Sequence, residues 1–200
     1  MARCDEDIVV LDTRTDLYTC LAEAGDVLNV RRDVIEGPEA VLDDLGAAGL
    51  VSETPPGPRL AVPPLPVRAL AFEAAAVTFR DELAVLGAMA AAWRRGPGRR
   101  PLHRLLPEAC AVDGRAEDPA LIARLTAGFV RRLPWDPAQD ACLYRAWVLR
   151  RILQSRGQTA TWVFGVRTWP FGAHCWLQCG DAVLDDDPDR VAHYTPIMAV

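Results

Sequence analysis

The stretch that decides the fold is DACLYRAWVLRRILQSRG, residues 140–157, together with AHCWLQCGDAVLDDD, residues 173–187. The first segment has apolar residues at the spacing of a buried helix, and Gly157 is typical of a helix end. These apolar residues are Ala146, Leu149, Ile152 and Leu153. The second segment alternates as a strand does and turns at Gly180-Asp181 into another short strand. The sequence therefore predicts a helix followed by an antiparallel sheet within an α+β fold.

Cys142 lies near the N-terminus of the predicted helix. Backbone N–H groups and the positive end of the helix dipole stabilise a thiolate at such a position and lower the thiol pKa. Either Asp136, followed by Pro137, or Asp140 is expected to cap the helix. Cys142 is therefore a candidate nucleophile, whereas an isolated free cysteine is more often a small apolar core residue.

His174 is the candidate base for this cysteine, because it opens the strand that follows the helix. Strand alternation puts His174, Trp176 and Gln178 on one face and Cys175, Leu177 and Cys179 on the other, which favours a core position for the second set. A carboxylate in the run Asp185-Asp186-Asp187 can orient the His174 ring, but spacing alone does not choose among the three. Since His174 and Cys175 point apart and no second pair has metal-ligand spacing, we expect no metal site.

Composition excludes several other chemistries. All 22 basic residues are arginine, so a Schiff-base lysine, a Walker A loop and a Ser-Lys dyad are impossible, and we expect no cofactor. Six cysteines without a Cys-x-x-Cys pair and an N-terminus without a secretory signal predict a cytoplasmic protein with free thiols. The longest apolar stretch, Leu83 to Trp93, is too short to cross a bilayer, so no membrane partner is expected.

Residues 1–53 are acidic and are predicted to form a small separate domain. They carry 13 acidic residues against 4 arginines, whereas residues 54–200 carry 14 against 18. Two β-prone runs, Asp7–Asp12 and Leu17–Leu21, precede a helical pattern that starts at Pro38. The negative charge would repel a phosphate backbone, so we expect no nucleic-acid partner, and a peptide ligand is easier to accommodate.

A linker is predicted over residues 54–68, where six prolines preclude a helix or a sheet interior. Residues 69–200 are predicted to be the second domain. It opens with an Ala-rich helical pattern over 69–93, with Asp81 on the wetter side. A further helix is predicted from Pro119 to Arg132.

The order of cysteine on a helix, histidine on a strand and aspartate on the adjoining strand is that of the transglutaminase-like branch of papain-type folds. Three segments make the resemblance closer: Cys142-Leu-Tyr-Arg145, Gly165-Val-Arg167 and Pro170-Phe-Gly-Ala-His174. Together they resemble the lasso-peptide biosynthesis B proteins over about residues 134–197. In that family this domain is the leader peptidase for a ribosomally made, post-translationally modified peptide (RiPP).

The resemblance implies a papain/transglutaminase-like cysteine peptidase domain with the triad Cys142, His174 and Asp186, for which Asp185 is the alternative acid. The implied reaction is hydrolysis of the leader–core amide bond through a thioester. Two alternatives remain open. The thioester can be transferred to an amine, as in transglutaminases, or the protein can bind a leader without catalysis.

Many members of that family carry in front a small winged-helix domain similar to PqqD, and residues 1–53 resemble it loosely through Leu11-Asp12 and Asp16-Leu-Tyr18. The resemblance implies that an extended leader adds to a sheet edge and packs beside the helix that starts at Pro38. The implied leader-binding residues are Leu17, Tyr18, Thr19 and Leu42. Leu17 and Tyr18 are equally well explained as residues of a small core. The implied partners are the precursor peptide and an asparagine-synthetase-like lasso cyclase.

Overall fold

A computed structural model of the chain describes residues 1–31, 34–52, 60–71, 77–106, 118–135 and 141–200. Its strands are β1 (Ala2–Cys4), β2 (Asp7–Asp12), β3 (Leu17–Leu21), β4 (Asn29–Arg31), β5 (Val34–Glu36), β6 (Arg68–Ala69), β7 (Thr161–Arg167), β8 (Gly172–Cys179), β9 (Ala182–Val183) and β10 (Thr195–Ala199). Its helices are α1 (Glu39–Ala47), α2 (Phe79–Arg95), α3 (Leu102–Leu105), α4 (Pro119–Arg132), α5 (Cys142–Ser155) and α6 (Pro188–Val191). The fold is of the mixed α+β kind that the sequence predicts. Within these ranges, no helix combines the length and the apolar character that crossing a membrane requires.

The N-terminal part is built on a three-stranded antiparallel sheet in the order β1-β2-β3. The two strands predicted here are confirmed as β2 and β3, and their register pairs Leu11 with Tyr18. The sequence did not indicate β1, β4 or β5, because three residues are too few for alternation to show. β3 is the outer strand, so among the described residues its outer edge has no strand partner.

Two cores meet at this sheet. Ile8, Leu28 and Leu45 form a small core under α1, the helix predicted to start near Pro38. Ala2, Cys4 and Val9 instead belong to the large core that also contains α5. The domain boundaries and the PqqD-like identity of residues 1–53 stay predictions.

Polar contacts also join the N-terminal sheet to the rest of the chain. Asp16, in the turn between β2 and β3, accepts a hydrogen bond from the backbone N–H of Leu102 at 2.8 Å. The indole N–H of Trp169 donates to Asp7 at 2.8 Å, and the rings of Tyr18 and Phe171 lie 5.8 Å apart. The hairpin between β7 and β8 therefore touches the N-terminal sheet.

The central sheet has five strands in the order β10-β7-β8-β9-β6. The antiparallel meander predicted after α5 is confirmed by the pairing of β7 with β8 and of β8 with β9. The helical pattern predicted over 69–93 is wrong at its start, because Ala69 belongs to β6 and the helix begins at Phe79. β6 pairs in parallel with β9, and this pairing between distant segments overrides the helix propensity of the alanine-rich sequence.

α5 packs its apolar stripe into the large core, where all four predicted residues are buried. Its end is confirmed at Gly157, which adopts a left-handed φ of 71° and donates to the carbonyl of Gln154. Its start lies at Cys142 with Ala141 as the N-cap, so it begins later than predicted. The expected caps, Asp136 and Asp140, lie outside the described residues. The helix predicted from Pro119 to Arg132 is confirmed as α4.

The two faces of β8 are as predicted. Cys175 and Leu177 lie in the core beneath α5, whereas Trp176 packs on the other face with Val183 and Val191. Gly165 of β7 lies under Trp176, and a Cβ at this position would come within 2.8 Å of the indole ring. Glycine is therefore needed here for the close approach of Trp176.

The prediction that Asp81 lies on the wetter side of the helix is wrong. Its side chain is fully buried, and it completes a capping box with Thr78. Arg124 donates to it at 2.9 Å, and Arg156 is a second ion-pair partner. Burial works to raise the Asp81 pKa, but the hydrogen bonds from Thr78 and the two arginines outweigh it and bring the pKa to about 2. This carboxylate therefore links α2 to α4 and to the end of α5.

We predict that Asp81→Asn lowers the free energy of unfolding by about 3 kcal/mol, because it leaves two arginines without their carboxylate. Urea denaturation at pH 7 measures the change. Because the folded pKa is depressed from 3.8, the contribution is present above about pH 4 and is lost as the pH falls towards 2. The difference between the variant and the wild type should shrink over that range.

The matched control is Glu82→Gln in the next residue of α2. Glu82 pairs with Arg131 and Arg132, whose side chains are about half exposed. Glu82→Gln should lower the free energy of unfolding by less than about 1 kcal/mol. Equal losses for the two variants would refute the structural role given to Asp81.

Candidate active site

The structure brings together the three residues that the family resemblance implies as a triad. Cys142 is the first residue of α5, His174 lies in β8, and Asp186 follows β9. The Nε2 atom of His174 is 2.5 Å from Oδ2 of Asp186, and both side chains are about nine-tenths buried. Since Nε2 contacts Asp186, Nδ1 is the ring nitrogen that remains to interact with the Cys142 sulfur.

These residues line a cleft with a volume of about 450 Å³. Its other lining side chains include Cys175, Tyr194 and the three arginines 145, 167 and 190. The His174 ring packs 5.2 Å from the ring of Tyr194 and 6.2 Å from that of Trp176. The imidazole is therefore held between a carboxylate and two aromatic rings, which restricts its orientation.

The three adjacent aspartates, which the sequence could not tell apart, have different partners. Asp185 forms an ion pair with Arg145 at 3.1 Å and is almost fully buried. Asp186 contacts His174, and Asp187 accepts a hydrogen bond from the backbone N–H of Asp189, which caps α6. The geometry therefore favours Asp186 over Asp185 as the acid that orients the histidine.

The electrostatics of the cleft favour a thiolate–imidazolium pair. The Cys175 thiol has the largest effect on the Cys142 pKa, and with the His174 ring it outweighs burial and brings that pKa down to about 4. Burial by itself would lower the His174 pKa, but Asp186 and Cys142 raise it to about 9. Both groups are therefore charged between about pH 4 and pH 9.

Cys175 has a contact that its predicted core position did not reveal. It is buried as expected, yet its thiol interacts with the Cys142 sulfur. Burial and the neighbouring Cys142 raise its own pKa well above the ordinary value, so Cys175 stays a thiol while Cys142 is a thiolate. Two cysteines in one cleft thus have opposite protonation states.

Arg145 was missed as a functional residue, although a signal for it was present. It lies three residues after Cys142, so the two side chains project from the same side of α5. Its guanidinium binds both the side chain and the backbone carbonyl of Asp185. Arg145 thereby fixes the segment that carries Asp186. The pairing with Asp185 itself depends on tertiary structure and cannot be read from spacing.

The four residues expected to bind a leader differ in their exposure and in their distance from the triad. Leu17 is 64% exposed on β3, so it does not fill a core, and Thr19 is exposed on the same strand. Leu42 is half-buried on α1. Tyr18 packs against the large core, and burial, with Cys175 and Cys142 nearby, raises its pKa to about 12. Only Tyr18 of the four therefore lies near the triad.

No cofactor or metal role follows from the cleft. In the parts of the chain that the structure describes, no three His, Cys, Asp or Glu side chains converge as metal ligands. Cys142 interacts with His174, and His174 also contacts Asp186. The absence of a metal and a cofactor stays a prediction.

Comparison with known proteins adds two findings. A family model described as "Transglutaminase-like superfamily" matches residues 83–199, more than half of the chain. The "Microcin J25-processing protein McjB" of Escherichia coli is 46% identical over 48 residues, which are 24% of this chain and 23% of that protein. The chain thus aligns with less than a quarter of this relative's length. No solved structure matches the chain.

We predict that iodoacetamide alkylates Cys142 with a rate that rises near pH 4 to 5 and stays level up to about pH 9. The reason is that the thiolate is the reacting form and its pKa is about 4. Peptide mass spectrometry after timed quenching measures the rate. Exposed Cys20, whose pKa is raised above the ordinary 9.0, is an internal reference that reacts only as the pH approaches 9.

His174→Ala should shift the increase in the Cys142 alkylation rate towards higher pH and leave the Cys20 rate unchanged. The reason is that, of these two cysteines, Cys142 alone interacts with the His174 ring. A wild-type rate that begins to rise only above pH 8 would contradict the ion pair.

Proposed function

This chain belongs to the transglutaminase-like superfamily, and we propose that it is a cysteine peptidase that removes the leader from a lasso-peptide precursor. The observation that carries the proposal is the cleft in which Cys142 meets His174, with Asp186 2.5 Å from the histidine. The partial match to a protein named for processing microcin J25 supports a peptide substrate. A cytoplasmic location is part of the proposal.

The residues present are sufficient for amide hydrolysis. The Cys142 thiolate attacks the carbonyl carbon of the last leader residue, and backbone N–H groups at the start of α5 stabilise the resulting oxyanion, at about 3 kcal/mol per donor. His174 donates its proton to the leaving amine of the core peptide, which leaves a thioester on Cys142. His174 then takes a proton from water, which hydrolyses the thioester and releases the leader carboxylate. Asp186 stays ionised throughout and stabilises the imidazolium.

Acyl transfer to an amine is the second candidate, and the family assignment is what favours it. It shares the thioester intermediate and differs only in the nucleophile that resolves it. Hydrolysis leaves a free leader carboxylate, whereas transfer leaves an amide adduct. The mass of the product therefore separates the two reactions.

The outer edge of β3 is the proposed binding site for the leader. The edge is open among the described residues, and Leu17 on it is exposed. A peptide that adds antiparallel to β3 runs from the Leu21 end to the Leu17 end. Its C-terminal end is then delivered beside Tyr18, which lies close to Cys142. Leu42 of α1 would contact the same peptide, and an asparagine-synthetase-like cyclase would take the released core.

We predict that the wild-type protein cleaves the precursor peptide encoded beside this gene at one bond and that Cys142→Ala does not cleave it. Asp186→Asn should lower kcat by about a hundredfold, because the histidine loses the carboxylate that keeps it charged and oriented. Mass spectrometry of the products gives the bond, the rate and the choice between hydrolysis and transfer.

Asp187→Asn is the matched control, since asparagine caps a helix as well as aspartate does and this side chain does not touch His174. It should retain nearly full activity. Undiminished cleavage by Cys142→Ala would rule out the mechanism. Cleavage by no variant, wild type included, would favour a protein that binds the leader without catalysis.

We predict that Leu17→Asp and Leu42→Asp each weaken binding of a labelled leader peptide at least tenfold, because a charge replaces an apolar contact. Fluorescence anisotropy with the uncleaving Cys142→Ala protein measures the affinity. Leu86→Asp, at an exposed position of α2, should leave it unchanged. Equal affinities for all three variants would place the leader elsewhere. Point variants are preferable to deleting residues 1–53, because Ala2 and Cys4 belong to the large core.

A further inference from the structure

One of the arginines that line the cleft has no acidic partner among the residues that the structure describes. Arg145 forms an ion pair with Asp185, and Arg190 lies 3.7 Å from Asp186. Arg167, the third arginine lining the cleft, forms no ion pair with any carboxylate in the described ranges. Its positive charge is therefore available to a ligand.

Arg167 is also held in place. Its guanidinium lies 5.4 Å from the centre of the Tyr194 ring, the same ring that packs against His174. Gly172 is its partner across the sheet, and a Cβ there would come within 2.9 Å of Arg167 Nε. Glycine leaves the space that the guanidinium fills. An arginine stacked in this way gives up less conformational freedom when it binds a ligand.

Arg167 lies on the side of the cleft where the residues that follow the cleaved bond are expected. Gly165 pairs with His174, and Arg167 lies two residues further along the same face of β7, about 7 Å away. His174 is the group that protonates the leaving amine, so the residues following the cleaved bond lie on its side of the cleft. Tyr18, where the leader would arrive, lies instead near Cys175 on the opposite face of β8.

Resting on the peptidase function proposed above, we infer that Arg167 is a specificity-determining residue that binds an acidic side chain of the substrate, in the segment that follows the cleaved bond. The planar guanidinium offers two parallel N–H donors to an aspartate or glutamate carboxylate. An amide side chain of the same shape carries no charge and accepts through one oxygen only. The site therefore distinguishes acid from amide.

Pairs of synthetic precursor peptides that differ by Glu/Gln or Asp/Asn at one core position test this inference. The wild type should cleave the acidic member of at least one pair with a kcat/KM at least tenfold higher, and Arg167→Gln should reduce this preference to less than twofold. Arg167→Glu should instead prefer a peptide with lysine at that position. Arg151→Gln is the control, because Arg151 also stacks on an aromatic ring, that of Trp147 at 5.6 Å, but does not line the cleft.

A second measurement needs no peptide and separates this inference from the peptidase proposal. Iodoacetate and iodoacetamide both alkylate Cys142, but only iodoacetate is an anion. Arg167→Gln should lower the ratio of the iodoacetate rate to the iodoacetamide rate severalfold, and Arg151→Gln should not. If the wild type cleaves no peptide, the peptidase proposal fails and the rate ratio alone tests the anion site. A lower ratio in Arg167→Gln then supports the anion site, and an unchanged ratio contradicts it. If the wild type cleaves the peptides and Arg167→Gln keeps the same acid preference, the inference is wrong.

Discussion

The contact between the Asp186 carboxylate and the His174 ring keeps a buried imidazole charged, and the thiolate–imidazolium pair depends on it. Burial alone would favour a neutral His174, but Asp186 at 2.5 Å raises the pKa of the imidazole. The Cys175 thiol and the resulting cation then stabilise the Cys142 thiolate together. The surrounding residues serve to place this one carboxylate. Arg145 fixes Asp185 on one side of it, and Asp187 begins α6 on the other. Three adjacent aspartates thus act as anchor, partner and helix cap.

Local patterns predicted the elements that position this site. The bounds of β2 and β3 follow from two β-prone runs with turn residues between them, and those of α4 follow from helical spacing and a proline at the first helical turn. All of these signals lie within the segment concerned. The division of β8 into two faces follows from strand geometry alone, so the core role of Leu177 was predictable. The helical spacing of apolar residues predicted a helix that begins near Cys142, although it did not predict the first residue of that helix.

Features that depend on contacts between distant segments could not be predicted from the sequence. Asp81 resembles a solvated residue of an amphipathic helix until Arg124 and Arg156, from α4 and the end of α5, surround it. The choice of Asp186 from its neighbours depends on where Arg145 and His174 meet the same loop. β6 is a strand only because β9 offers it a backbone to pair with. In each case the deciding partner is 40 or more residues away, apart from His174, which reaches Asp186 across one turn of the sheet.

The outer edge of β3, which no described strand covers, also bears on how the protein behaves when no peptide is present. Natural sheets shield an outer strand with proline, with charge or by keeping it very short. The five residues LYTCL of β3 contain neither proline nor charge, and Leu17 and Cys20 lie exposed on the strand. Such an edge is a template for a second copy of the same strand, which would compete with the leader proposed to bind there. A leader bound as proposed would shield this edge, and the protein would then be most prone to aggregate when that peptide is scarce.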